Sequence, residues 1–289
     1  MQKDQMNIQW YPGHMTKTRR QIEADLKLVD AVCEIVDARI PISSRNPDID
    51  TICANKPRII VLNRRDLADP EGIKRWISYF RSKGMAAIAT DCKSRKGISD
   101  FEPAVRSVLK EKIERDLEKG MHRPLRVMIV GIPNVGKSTL INQISGRKGA
   151  KAENRPGVTR GKQWVSVDSG LLLLDTPGIL WPKFDDPQVG MMLAYTGAVK
   201  EDVIDTEELA CFLMEVLWQR YPDSLKNRYK LSASEDTPGY MLLEEAGRNR
   251  GFLLARGEVH TERMAKVLLD EYRSGKLGYF TLEEPEDTQ

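Results

Sequence analysis

Cysteine is scarce in this chain of 289 residues: Cys33, Cys53, Cys92 and Cys211 lie far apart and form no C-x-x-C pair. That excludes the usual zinc-ligand spacing and a disulfide framework, and the four read as reduced core thiols. No apolar run approaches the ~20 residues of a membrane span. The polar start MQKDQMNIQW lacks a signal peptide's apolar core, so the expected location is the cytoplasm. A dominant charge sign is also missing. Lys and Arg number 45 against 42 Asp and Glu, a net of +3, too balanced to mark a nucleic-acid binder, and DNA is not an expected partner. No internal repeat is visible. With 40% hydrophobic and 30% charged residues the composition is that of a globular protein, and the length suits one large domain or two smaller ones.

The near-neutral total conceals an uneven distribution. Glu283, Glu284, Glu286 and Asp287 crowd the last seven residues and offset a more basic body. Six basic residues (Arg147, Lys148, Lys151, Arg155, Arg160, Lys162) fall between positions 147 and 162, with Glu153 as the one acid among them. Such a run is commonly a solvated face, and it equally suits a polyanion such as RNA.

Apolar, β-branched runs bounded by turn residues predict strands over 31–36, 58–62, 85–89, 126–130, 163–167 and 171–174. Several read as buried on both faces, as in a parallel sheet. Helical patterns lie between them at 16–28, 72–83, 98–119 and 137–145. This alternation predicts an α/β fold with an open sheet and crossover helices. Beyond about residue 200 the pattern becomes helical. Leu209, Phe212, Leu213, Val216 and Leu217 follow an acidic first turn, and further helices are expected over 240–246 and 258–273, the last closed by Gly275. The division is therefore a first domain over 1–200 and a smaller all-α domain with an acidic tail over 201–289.

Gly131-Ile132-Pro133-Asn134-Val135-Gly136-Lys137-Ser138 fits G-x-x-x-x-G-K-[ST] between a strand and a helix. Its glycines let backbone N–H groups turn inward around phosphate oxygens, with Asn134 to Thr139 as the contacting stretch. Lys137 is expected to reach the β- and γ-phosphates and Ser138 to bind Mg²⁺. Asp175-Thr176-Pro177-Gly178 closes the strand LLLLD, 38 residues beyond Lys137. Asp175 can hold Mg²⁺ through water while the Gly178 N–H faces the γ-phosphate. A second D-x-x-G, Asp69 to Gly72, follows no such strand and reads as a loop and helix start. Thr159, in the basic stretch, is a candidate second hydroxyl for Mg²⁺.

Asn63-Arg64-Arg65-Asp66 follows the strand RIIVL and fits N-[KR]-x-D. Asp66 would accept from the guanine ring N–H and its exocyclic amine, an arrangement adenine does not offer. A buried carboxylate left unpaired costs about 1–3 kcal/mol, so adenine should be rejected by one or more orders of magnitude. Asp91-Cys92-Lys93, after MAAIA, supplies a loop behind the base. Asp37 and Arg39 follow the strand AVCEIV; a pair bracing the sheet end is favoured over an Arg39 that reaches phosphate or RNA.

The base motifs precede the phosphate loop, the reverse of the usual GTPase order. With Trp10-Tyr11-Pro12-Gly13-His14-Met15 and Asp37-Ala38-Arg39-Ile40-Pro41, this order closely resembles the circularly permuted GTPases of the ribosome biogenesis GTPase A family, over essentially the whole chain. Arg64 stands where Lys is more usual. The resemblance implies a permuted P-loop GTPase sheet using GTP/GDP and Mg²⁺, with a late large ribosomal subunit precursor and its rRNA as partner and hydrolysis releasing the factor. It also implies that His14 orients the attacking water, since the residue after D-x-x-G is the apolar Ile179 rather than Gln; a structural His in a Pro-Gly turn is the alternative. The Asn134 amide is either a ligand for K⁺, as in potassium-activated GTPases with the same loop, or a loop stabiliser. Permutation sets the switch after Asp175 near the start of the C-terminal segment, so nucleotide state is expected to bear on the helical domain. Arg248, Arg250, Arg256, Arg263, Lys266 and Arg273 offer further RNA contacts there. A monomer is favoured. The alternative function is an RNA-binding scaffold with a structural, slowly hydrolysed nucleotide.

Overall fold

The computed structural model describes residues 15–146, 163–167, 169–178, 186–199 and 205–285. These form two compact units, divided near residue 183 and again after Leu282.

The larger unit carries a six-stranded sheet in the order β3-β2-β1-β4-β6-β5. Its strands are β1 (Ala31–Asp37), β2 (Arg58–Asn63), β3 (Ala86–Thr90), β4 (Leu125–Gly131), β5 (Trp164–Val167) and β6 (Leu171–Asp175). All neighbours run parallel except the edge pair β5–β6, where the two-residue link Ser169–Gly170 and its preceding residue leave room only for a hairpin. β1 is buried at all seven positions, as expected of a parallel strand covered on both faces. On one face Val32, Met128, Val130 and Leu174 pack with Ile22 of α1 (Met15–Asp25) and Ile49 of the short α2 (Asp48–Ile52). Farther along that layer, Val36, Ile60 and Leu62 meet Trp76 and Phe80 of α3 (Pro70–Ser82). Cys33, Ile35, Ile59, Val61 and Ile129, at alternate positions, are buried as well. Helix α4 (Phe101–Val108) packs on β2 and β3, and α6 (Lys137–Ile144) on β4 and β6.

The single helix expected over 98–119 is two, α4 and α5 (Lys110–Glu118), because Leu109 leaves helical geometry at φ −106°, ψ 12°. The second D-x-x-G is indeed a helix start: Asp69 accepts from the N–H groups of Glu71 and Gly72 at the head of α3. The four cysteines are free thiols, three of them buried.

The smaller unit is helical: α7 (Pro187–Tyr195), α8 (Thr206–Arg220), α9 (Pro222–Tyr229), α10 (Gly239–Asn249) and α11 (Thr261–Ser274). Asp205 caps α8, which buries Leu209, Ala210, Leu213, Met214, Leu217 and Trp218; Phe212 and Val216 are only half buried, so the stripe is turned slightly from the expected one. Helix α7 belongs to this unit because Leu193, Ala194 and Tyr195 are buried and Arg273 donates to the carbonyls of Ala194 and Tyr195 at 2.7 and 2.9 Å. The helical unit thus starts earlier than residue 201. At the other end, Glu283 and Glu284 are packed on the sheet unit: the Glu283 carboxylate accepts from the Ile42 and Ser43 N–H groups at 2.7 and 3.0 Å, and Arg75 donates to Glu284 twice at 2.8 Å. These two acids serve as local caps and ion-pair partners. Among the described residues no helix is long and apolar enough to cross a membrane.

Candidate nucleotide site

From the central β1 the chain steps outward to β2 and β3, then returns to place β4 on the other side of β1. The strand order therefore reverses between β1 and β4, and an open α/β sheet binds ligands at such a point, beyond the carboxyl ends of its strands. The sequence motifs gather there because the register aligns those ends: Asp37 is opposite Asn63, Asn63 opposite Thr90, Ile35 opposite Gly131, and Ile129 opposite Asp175.

Gly131 ends β4 and Gly136 precedes α6, at φ +154° and +108°, so the loop turns through conformations closed to most side chains. A Cβ at Gly136 would collide with the Asn63 amide, which shows how closely the base segment approaches this loop. Val135 is buried; Asn134, Ser138 and Thr139 are exposed at the mouth. Lys137, only 8% exposed, donates to the Gly131 and Ile132 carbonyls at 3.0 and 2.8 Å, folding its ammonium over the loop. Burial presses its pKa down to about 8, with Asp175 working the other way. Asp175 has its carboxyl raised by burial, which Lys137 only partly offsets. Its Oδ1 is buried without a hydrogen-bond partner. An unsatisfied hard oxygen beside a phosphate loop suits Mg²⁺, with Asp175 and the Ser138 hydroxyl as the residues that would hold it. The adjoining Thr176 hydroxyl donates to the Ile129 carbonyl at 2.7 Å and pins the strand end. A Cβ on Gly178 would lie 2.8 Å from Pro133 and 3.0 Å from Lys137 Nζ, so only glycine lets this backbone come so near the loop.

The base-reading side is built around Asn63. Its amide donates to the Val135 carbonyl at 2.7 Å, while its oxygen accepts from the Thr90 hydroxyl at 3.2 Å and the Cys92 N–H at 3.4 Å. One buried amide thus joins the base segment, the phosphate loop and the loop after β3. Arg64, at φ +63°, donates from Nη2 to the Asn134 carbonyl at 2.9 Å. Asp66 is half buried, and burial pushes the Cys92 thiol up to about 11. Asp91 accepts from the N–H groups of Lys93 and Ser94 at 2.8 and 3.2 Å and from the Ser94 hydroxyl. Its carboxylate is spent on holding the loop; burial opposes its charge, but the Ser94 hydroxyl and these N–H groups keep its pKa low.

The structure therefore brings together Asn63, Arg64, Asp66, Asp91, Cys92, Lys93, the loop 131–139, Asp175 and Gly178. His14, Thr159, Ile179 and the basic stretch 147–162 lie outside the described residues. Arg39 is fully buried and bound to Asp37, as a sheet-end brace should be. Thr90 and Thr176 are site residues that sequence reasoning missed, since a lone Thr at a strand end carries no pattern. In the helical unit, Arg250 pairs with Glu271, Arg248 with Glu244, Lys266 with Glu262, and Arg263 lies over the Phe252 ring at 4.3 Å. Arg256 is exposed in a left-handed turn at φ +76°.

A pH dependence follows from Lys137. Bound phosphate favours the charged lysine, so binding must draw a proton once pH exceeds the free site's pKa of about 8. Triphosphate affinity is expected to be level below that point and to fall toward tenfold per pH unit above it; titration calorimetry in buffers of different ionisation enthalpy should show proton uptake. A flat affinity up to pH 9.5 would count against this role.

A family model described as 50S ribosome-binding GTPase matches residues 126–232. The chain is similar throughout to ribosome biogenesis GTPase A of Priestia megaterium, 47% identical over 287 residues that cover 98% of this chain and 99% of that protein. With the Thermotoga maritima protein of the same name it shares 33% identity, covering 97% and 95%. Among solved structures it resembles a GDP-bound YlqF at TM-score 0.63 and 29% identity, covering 93% of this chain and 100% of that one. YlqF from T. maritima bound to GNP gives a TM-score of 0.61 at 28% identity, covering 93% and 99%. With this likeness spanning nearly its full length, and a phosphate loop, base segment and D-x-x-G assembled at the carboxyl ends of the sheet's inner strands, the chain belongs to the ribosome biogenesis GTPase A family and is a GTP hydrolase.

Proposed function

We propose that this GTPase binds a late precursor of the large ribosomal subunit and is released or reset when GTP is hydrolysed. The observation that carries the reading is the described part of the site: a base segment tied to the phosphate loop through Asn63, with the buried Lys137 and the unsatisfied Asp175 beside it, in a chain 47% identical to a protein named for ribosome biogenesis. Asn63, Arg64, Asp66 and Asp91 to Lys93 hold the guanine end, and Asn134 to Thr139 with Gly178 hold the phosphates. Ser138, Thr159 and Asp175 would hold Mg²⁺, which would supply positive charge against the phosphates. The Asn134 amide would be a ligand for K⁺, and that ion would supply positive charge where other GTPases use an arginine finger. His14 orients the attacking water, a task for which Ile179 has no polar group.

The partner is the large subunit and its rRNA. Residues 147–162 supply a basic contact as part of the γ-phosphate switch, and the helical unit adds another. Of the basic residues considered there, Arg256 and Arg263 are exposed and neither belongs to the ion pairs that engage Arg248, Arg250 and Lys266, which supports them as contacts for RNA phosphates. The protein acts as a monomer in the cytoplasm.

GTP turnover measured with and without purified large subunits, in potassium and in sodium, tests this. Stimulation of at least tenfold by subunits is expected, with faster hydrolysis in potassium. Equal rates with and without subunits would overturn the assembly role; equal rates in the two salts would remove the K⁺ ligand. His14→Ala should lose the stimulated rate and leave GTP affinity nearly intact.

A further inference from the structure

Asp37 closes β1 beside the nucleotide crevice, in register with Asn63. Its carboxylate is almost wholly buried, and burial works against its charge. Arg39 overcomes this: its backbone N–H and Nε donate to Oδ1 at 3.0 and 2.9 Å, and Nη2 donates to Oδ2 at 2.7 Å. With Arg64 also contributing, the carboxyl is held below its ordinary range. The backbone N–H of Asp37 is in turn fixed by the Ser44 hydroxyl at 2.9 Å, so the acid has little freedom.

The second cation on Asp37 connects it to the nucleotide. Arg64 Nε lies 3.7 Å from Oδ2, while the same guanidinium donates from Nη2 to the Asn134 carbonyl at 2.9 Å. Both residues joined by this link are in the left-handed region, Arg64 at φ +63° and Asn134 at φ +60°. Neither is glycine, so each conformation needs support from its surroundings. A guanidinium has donors on separate nitrogens in a fixed plane and can satisfy Asp37 and Asn134 together; a lysine ammonium is one point charge.

We infer that Asp37 is a positioning residue for the nucleotide: anchored by Arg39, it holds the Arg64 guanidinium on the Asn134 carbonyl and so ties the base segment to the phosphate loop. Arg39 is then a buried anchor, and the charge relay Arg39–Asp37–Arg64 keeps Asn134 in its left-handed turn. The inference rests on the GTP reading of this site and adds a residue that touches neither nucleotide nor metal.

A double-mutant cycle on the full-length protein tests it. Affinities and dissociation rates of fluorescent GDP and GTP analogues are measured for Asp37→Asn, Arg64→Lys and the double variant, with melting temperatures alongside. Each single variant should speed GDP dissociation by about tenfold, because Asp37→Asn removes the charge that holds the Arg64 guanidinium and Arg64→Lys removes its hydrogen bond to the Asn134 carbonyl. The double should be no worse than the worse single, since both cut the same link. KM for GTP should rise in both single variants. Multiplying effects would overturn the proposal and leave Asp37 a brace for the sheet. If Asp37→Asn fails to fold, Arg64→Lys decides: its off-rate must rise about tenfold at an unchanged melting temperature, and an unchanged off-rate overturns the link. Failure of the GTP reading looks different, because the unsubstituted protein would then bind the GDP analogue no better than the ADP one.

Discussion

Asp66→Asn is expected to weaken GTP binding by about a hundredfold or more and to make xanthosine triphosphate the better ligand. The frame that presents Asp66 is rigid: Arg65 N–H donates to the Thr90 carbonyl at 3.1 Å, Leu67 N–H to the Arg64 carbonyl at 2.9 Å, and Asn63 is held by three partners. The substitution therefore changes the chemistry of one side chain without moving its backbone. Guanine offers two adjacent donors, and a carboxylate offers two acceptors. The asparagine amide faces one of those donors with a donor of its own, and a buried donor left unpaired costs about 1–3 kcal/mol beyond the lost charge-assisted bond. Xanthine carries a carbonyl where guanine has its amine, so the same amide finds a match. Competition binding with the two triphosphates checks this. Undiminished GTP affinity would mean that guanine is read elsewhere.

Lys137→Met is expected to lower GTP turnover by about 10²- to 10³-fold, the usual cost of one preorganised donor at developing transition-state charge. Affinity for the triphosphate should fall as well, because the ammonium is the loop's positive charge. The fold should not suffer. Lys137 is buried with its pKa pressed down to about 8, so the native state already resists its charge, and a methionine of similar length fills the space. A melting temperature equal to or above that of the unsubstituted protein, together with lost turnover, is the expected pair of results. Full turnover would place the phosphate elsewhere.

Local pattern alone made the three motif segments legible. G-x-x-x-x-G-K-S, N-R-R-D and D-T-P-G each depend on residue types at fixed spacing after an apolar strand, and every such strand is present within a residue or two of its expected place. The Asp69 motif shows the rule from the other side: without a preceding strand, its carboxylate caps α3. Helices with a weak apolar stripe escaped. Pro187–Tyr195 and Pro222–Tyr229 are short, and each is recognisable from its structure chiefly by a proline in the first turn and by a few buried side chains. The kink at Leu109 has no glycine or proline to announce it.

The sequence by itself determined the nucleotide chemistry, the permuted motif order and the α/β class, because these follow from residue identity and spacing along the chain. Only the tertiary structure decided which side chains serve one another across long separations. Asn63 spans 72 residues to the Val135 carbonyl, Arg64 spans 70 to Asn134, and Glu283 reaches 241 residues back to cap Ile42. Such pairings have no period and no motif. They arise where strand register brings the carboxyl ends of β1, β2 and β4 together, and burial there leaves each polar atom dependent on the neighbour it meets.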